Sequence, residues 1–257
     1  MNTLKVRLIQ ADLLWENPVT NRQLLAVQIA SRSAPVDVII LPEMFTTGFS
    51  MNAASYAEAP DGPTSQWMQA IAKEYQAAVT GSVIIKENDC FYNRLLWVEP
   101  DGSIQHYNKR HLFTLAGEEK VYTAGQQHLL VEYKGWRILP LVCYDLRFPV
   151  WSRNNCDYDL LLYVANFPEK RAHAWRTLLL ARAIENQSYT IGLNRVGTDH
   201  HQIYYSGDSC LVDYAGRYQQ ILPPRPIVID VELDKEKQQD FRKKLAFLPD
   251  QDQFQWQ

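Results

Sequence analysis

Three apolar runs that do not alternate limit the fold more than any other feature: "VDVIILPEMF" near the start, "ILPLVCYD" at mid-chain and "YDLLLYVANF" soon after. A strand with one wet face alternates apolar and polar residues. An unbroken run has no side to give to water and needs cover on both faces. The chain supplies that cover. "VTNRQLLAVQIASRS" has helical spacing at Leu24, Leu25, Val27, Gln28 and Ile29. "TSQWMQAIAKEYQAAV" sets Trp67, Ile71 and Tyr75 on one face with Thr64 as cap, and "HAWRTLLLARAIENQS" is the strongest helical pattern. Asp101-Gly102 and Lys134-Gly135 are hairpin signals between further strands. "PVWSRNN" reads as a short helix, and "SCLVDYAGRYQQIL" and "IVIDVELD" complete the strands. The pattern predicts a single α/β domain over residues 1–257, helices covering both faces. A C-terminal extension is expected from about residue 235, in the polar stretch "DKEKQQDFRKK".

Charge removes several function classes. The formal net charge is −3, and Lys and Arg are dispersed along the 257 residues. Neither nucleic acid nor an anionic membrane surface has an electrostatic case as partner. No apolar run approaches the ~18 residues of a membrane span. "MNTLKVRLIQADLLW" alternates like a strand and lacks the apolar core of a signal peptide. Cys90, Cys143, Cys156 and Cys210 stand far apart, with no C-x-x-C pair and no His/Cys cluster at zinc spacing. The expectation is a cytoplasmic protein with reduced thiols, no metal and no cofactor. Cys90, Cys156 and Cys210 are expected as isolated core thiols.

Cys143 differs from the other three because the chain turns from apolar to charged directly behind it, through Tyr144, Asp145 and Arg147. Glu43 follows "VIILP" and Lys109 follows "SIQHYN" in the same way. In an α/β sheet, strand ends are where scaffolded side chains converge on a ligand. Singly, Glu43 reads as a loop residue or helix cap, Lys109 as part of a solvated turn, and Cys143 equally as core filler or as a nucleophile. Together they are a carboxylate, an ammonium and a thiol, the parts of covalent acyl transfer. An unperturbed thiol of pKa ~8.5 is only slightly ionised near neutrality. Lys109 would favour its ionisation, and Glu43 could take its proton as general base without help from His111. No resolving cysteine lies near Cys143, which leaves a thiol-redox role without a partner.

"LPEMFTTGF", "YNKRHLF" and "LVCYDLRFPVWSRN" resemble the glutamate, lysine and cysteine motifs of the nitrilase (carbon–nitrogen hydrolase) superfamily, in the same order and across almost the whole chain. Within it the chain looks like the bacterial omega-amidases. The resemblance implies a four-layer αββα sandwich, extended across a homodimer. It also implies release of ammonia from short α-keto acid monoamides such as 2-oxoglutaramate and 2-oxosuccinamate, through a thioester on Cys143. Glu43 would be the general base, and Lys109 with the backbone N–H of Tyr144 would hold the oxyanion. A second glutamate is implied in "LAGEEKVY", as Glu118 or Glu119, with Glu118 favoured. The substrate carboxylate needs a cation, and Arg147 is either that cation or half of a structural ion pair. Asn166 and Phe167, at a strand end, are expected in the wall. Lys170 and Arg171 rim the mouth or face solvent. Arg182, Glu185 and Asn186 are expected as structural pairing on one helix. The alternatives are another carbon–nitrogen hydrolase, such as an N-carbamoyl amino acid hydrolase or a nitrilase, and a non-catalytic binding protein on the same fold.

Overall fold

The computed structural model describes residues 2–252, and in it each unbroken apolar run holds an interior strand. The first part of the chain forms β1 (Thr3–Gln10), α1 (Pro18–Ala30), β2 (Val38–Ile40), α2 (Ala53–Tyr56), α3 (Pro63–Tyr75), β3 (Ala78–Glu87), β4 (Cys90–Val98) and β5 (Ile104–Asn108). Next come β6 (Val131–Tyr133), β7 (Trp136–Val142), β8 (Leu160–Ala165), α4 (Ala172–Asn186) and β9 (Tyr189–Asn194). The remainder is β10 (Val196–Thr198), β11 (Tyr204–Ser206), β12 (Cys210–Val212), β13 (Tyr218–Ile221), β14 (Ile227–Asp234) and α5 (Lys235–Lys244). Two six-stranded sheets result, ordered β14-β1-β2-β3-β4-β5 and β13-β12-β9-β8-β7-β6, with β10 and β11 as a separate hairpin. Each sheet has a parallel centre, β1-β2-β3 in one and β7-β8-β9 in the other, flanked by antiparallel strands.

The sheets pack face to face. Leu4, Val6 and Leu8 of β1, Val38 and Ile40 of β2 and Trp97 of β4 share one core with Trp136, Leu141, Leu161 and Tyr163 of the second sheet. The intervening residues Ile9, Ile39 and Leu41 belong to a second core with Leu25 and Ile29 of α1 and Met68 and Ile71 of α3. On the other side, Trp175 and Leu179 of α4 lie against β9 so closely that a Cβ on Gly192 would come within 2.3 Å of Leu179. Each buried Leu, Ile or Val contributes roughly 1.5–3 kcal/mol. The unbroken runs therefore sit where both faces contribute, and the αββα sandwich implied by the resemblance is the architecture found. Among the described residues, no helix is long and apolar enough to cross a membrane.

Several local expectations are corrected. The buried line of α1 is Asn21, Leu25 and Ile29, whereas Leu24 and Val27 are exposed. Asn21 sets that rotation, because its Nδ2 donates to the carbonyls of Leu14 and Thr46, both at 2.7 Å. Thr64 is not a cap: α3 starts at Pro63, and the Glu58 carboxylate accepts from both the Thr64 N–H and its hydroxyl. "PVWSRNN" forms turns, not a helix. Asn154 there bonds Tyr158 and Asn186 through its side chain, an alternative to helical bonding. Of the residues set apart from about 235, the polar stretch folds as α5, with Arg242 bonded to the carbonyls of Gln187 and Tyr158. Residues 253–257 of that segment lie outside the described residues. Of the three cysteines expected as core thiols, Cys210 is buried, but Cys90 and Cys156 are partly exposed. Cys90 opens an outer stretch of β4, and Cys156 sits in the turns before β8.

Candidate active site

Glu43, Lys109, Cys143 and Asn166 follow the C-terminal ends of β2, β5, β7 and β8, two from each sheet. The connection after β2 is bent by Met44 at φ +43°, whose N–H donates to Ser82 Oγ at 2.8 Å. Cys143 itself is left-handed, at φ +46°, and opens a 3-10 turn over Cys143–Arg147. A non-glycine residue in that region costs about 1 kcal/mol or more and persists only where its surroundings hold it. Asp145, fully buried, does much of the holding. Its Oδ2 accepts from Val142 N at 3.0 Å and Tyr107 Oη at 2.8 Å, and its Oδ1 accepts from His111 N at 2.9 Å. Arg182 of α4 adds a bond from Nη2 to Leu146 O at 2.7 Å. The turn carrying the thiol is thereby tied to the loop carrying Lys109.

The polar groups form one connected cluster. Lys109 Nζ donates to Glu43 Oε1 at 3.0 Å and to the Glu118 oxygens at 3.0 and 2.9 Å. Asn93 of β4 donates to Glu43 Oε1 at 2.8 Å and to Glu118 Oε1 at 3.2 Å. The other Glu43 oxygen accepts from Asn166 N at 2.7 Å, and Asn166 Nδ2 donates to the Glu43 carbonyl at 2.7 Å. The Cys143 thiol reaches Asn166 O, 3.9 Å from its Sγ, so Asn166 meets Glu43 through its N–H and the thiol through its carbonyl. Asn166 Oδ1 is buried and has no partner among the described residues. The side chains of Glu43, Lys109 and Glu118 have no solvent exposure.

Burial at this density shifts the protonation equilibria. Burial alone lowers the Lys109 pKa, but the Glu118 and Glu43 carboxylates outweigh it and the net shift is upward, so the ammonium is retained. Burial raises Glu118 against the pull of Lys109. Cys143 is pushed well above the ordinary thiol range, first by burial and then by the Glu43 charge. Lys109 does favour the thiolate, as expected, but it is outweighed. The Cys143 side chain is thus held as a neutral thiol.

Lys109, Cys143 and Asn166 form the floor of a cleft of about 500 Å³ measured out to its open mouth. Phe49, Phe113, Phe167, Tyr144 and Tyr205 give it aromatic walls, and Arg147 and Arg171 also line it. Among the described residues Arg147 has no ion pair; its guanidinium stands 5.6 Å from the Phe167 ring centroid. The structural pair weighed for it is absent there. The Tyr144 ring meets Phe113 and Phe148 edge-on. Glu118, not Glu119, lies beside Lys109, and Glu119 is exposed. His111 bonds Asp145 through Nδ1 and stacks on Phe148, outside the cleft lining. Arg182 pairs with Glu185 at 2.9 Å, and Asn186 accepts from Asn154 N, as structural partners. Lys170 does not line the cleft, whereas Arg171 does. Asn93, Tyr107 and Asp145 were not singled out in the sequence. Asp145 alone had a signal, as a carboxylate two residues past the thiol. No group of three or more His, Cys, Asp or Glu among the described residues could hold a metal ion.

Comparison with known proteins gives one consistent result. The carbon-nitrogen hydrolase family model matches residues 5–243. The omega-amidase YafV of Yersinia enterocolitica is 48% identical over 99% of both chains. The 2-oxoglutaramate amidase of Bacillus subtilis is 30% identical over 94% of this chain and 95% of its own. Among solved structures, a CN-hydrolase superfamily protein from Xanthomonas campestris, with an arsenic adduct in its active site, superposes with a TM-score of 0.98. It is 42% identical, with both chains covered completely.

Proposed function

Because the chain belongs to the carbon–nitrogen hydrolase family and is a hydrolase of non-peptide carbon–nitrogen bonds, we propose that it is an omega-amidase acting on 2-oxoglutaramate and similar α-keto acid monoamides. The convergence of Glu43, Lys109 and Cys143, with Lys109 bonded to Glu43 and Asn166 meeting both Glu43 and the thiol, carries this mechanism. Glu43 takes the thiol proton as Sγ attacks the amide carbon, and the carbonyl oxygen becomes an oxyanion. An ammonium has three donors. Glu43 and Glu118 accept three bonds from Lys109, and one of the two to Glu118 is exchanged for the oxyanion, which the backbone N–H of Tyr144 also meets. Glu43 returns the proton to the leaving nitrogen, ammonia departs and a thioester remains. Water, deprotonated by Glu43, then releases the keto dicarboxylate and restores the thiol.

Asn93, Asn166 and Glu118 are positioning residues, because each holds Glu43 or Lys109 in place through the hydrogen bonds above. Arg147 meets the substrate carboxylate from the wall, and Phe167 packs on the chain between the two ends. A homodimer, the assembly implied by the resemblance, is the proposed state; a sedimentation measurement giving the mass of one chain would contradict it. For the activity, ammonia release from 2-oxoglutaramate is set beside release from a nitrile and an N-carbamoyl amino acid. Preference for the keto-acid amide is expected, and full retention of activity by Cys143→Ala would overturn the mechanism.

A further inference from the structure

We propose that Arg171 is a second substrate-binding cation that, granting the omega-amidase function on which this rests, joins Arg147 to clamp the 2-oxo-carboxylate end of the substrate and repel the α-ammonium of an amino-acid amide. The two side chains come from different strand ends. Arg147 closes the 3-10 turn after β7, and Arg171 closes the turn Glu169–Arg171 that leads from β8 into α4. Both guanidiniums flank one ring, at 5.6 Å and 6.0 Å from the Phe167 centroid, and Arg171 also stands 4.9 Å from that of Phe113. Contact with aromatic faces holds a guanidinium without using its N–H groups.

Those donors are unspent. Among the described residues neither guanidinium forms an ion pair or a hydrogen bond, although each carries five N–H donors. Other partly or wholly buried arginines are engaged: Arg182 with Glu185 and Leu146 O, Arg195 with Asp12 and Leu13 O. None of the described residues lining the cleft is acidic. The outer half therefore presents two cations to an incoming ligand, in a wall that is otherwise largely aromatic. A carboxylate with an adjacent keto oxygen offers acceptors to both forks. Glutamine offers the same amide and carboxylate, but its α-ammonium would face two guanidiniums with no carboxylate to answer it. The keto group is thus chosen at the wall, away from the bond that breaks.

Steady-state kinetics of the wild type, Arg171→Ala and Arg171→Glu test this with four amides: 2-oxoglutaramate, L-glutamine, succinamate and its neutral counterpart butyramide. Arg171→Ala is expected to raise KM for 2-oxoglutaramate about 10- to 100-fold with kcat changed less than about threefold. The loss on butyramide should be at least about tenfold smaller, and the preference for 2-oxoglutaramate over glutamine should fall by about tenfold or more. Arg171→Glu should move that preference further toward glutamine. Equal losses on the anionic and neutral amides, or an unchanged KM for 2-oxoglutaramate, would overturn the proposal. If the wild type hydrolyses succinamate but not 2-oxoglutaramate, the keto-acid function fails while the clamp is upheld by a preference for succinamate over butyramide. A preference for butyramide would overturn the clamp itself.

Discussion

At the floor of the cleft every charge is answered, and at its wall two find no partner among the described residues. Glu43, Lys109 and Glu118 are shut away from water and satisfy one another through bonds of 2.9–3.0 Å. Arg147 and Arg171, partly exposed, rest against aromatic rings with their donors unspent. The difference divides the labour. A paired, dry floor costs little reorganisation when charge develops on the substrate, which is what a chemical step needs. Unspent donors at the wall gain their partners only when an anion arrives, which suits selection.

Substitutions at the floor should strike turnover, and those at the wall should strike affinity. The largest effect is expected for Cys143→Ala, a loss in kcat on the order of 10⁴ or more because the covalent route disappears. Lys109→Met should follow, with a loss of ~10²–10³ in kcat. It also leaves two buried carboxylates without their cation, so stability should drop by about 3–5 kcal/mol in denaturant unfolding. Arg147→Ala should spare kcat and raise KM for 2-oxoglutaramate about tenfold, a binding loss alone. A fall in its kcat as deep as that of Lys109→Met would erase the distinction between floor and wall. The smallest expected effect is a flat line. Because Cys143 is held as a thiol well above its ordinary range, its alkylation rate should show no inflection between about pH 7 and 9, where an unperturbed thiol titrates. A rise centred near the ordinary thiol value would mean that the pull of Lys109 offsets burial and the Glu43 charge, and a rise below it that Lys109 dominates.

Much of this division was legible in the chain before its fold was known. Glu43, Lys109 and Cys143 each end an apolar or alternating run, and a strand end is one of the few places where local sequence predicts convergence in space. Asn93 could not be found that way. It sits inside β4, in an ordinary-looking "FYNRLL", and reaches Glu43 and Glu118 only because β4 pairs between β3 and β5. Asp145 was visible as a charge behind the thiol, but its work is to tie Val142, Tyr107 and His111 together, and that depends on two loops meeting. Arg171 was readable equally as rim or as solvated surface, since only the packing of Phe113 and Phe167 draws it to the cleft. The helix read in "PVWSRNN" failed because the side chain of Asn154 competes for backbone groups, a bond that periodicity does not register.

The central claim is that the neutral thiol at this floor becomes an acyl-enzyme. Intact-mass and peptide mass spectrometry of the wild-type protein, quenched in acid during turnover of 2-oxoglutaramate, tests it most directly. A 2-oxoglutaryl thioester on the peptide containing Cys143, absent from Cys143→Ala, is the predicted result. Steady ammonia release with Cys143 unmodified at every quench time, and equal release by Cys143→Ala, would contradict it.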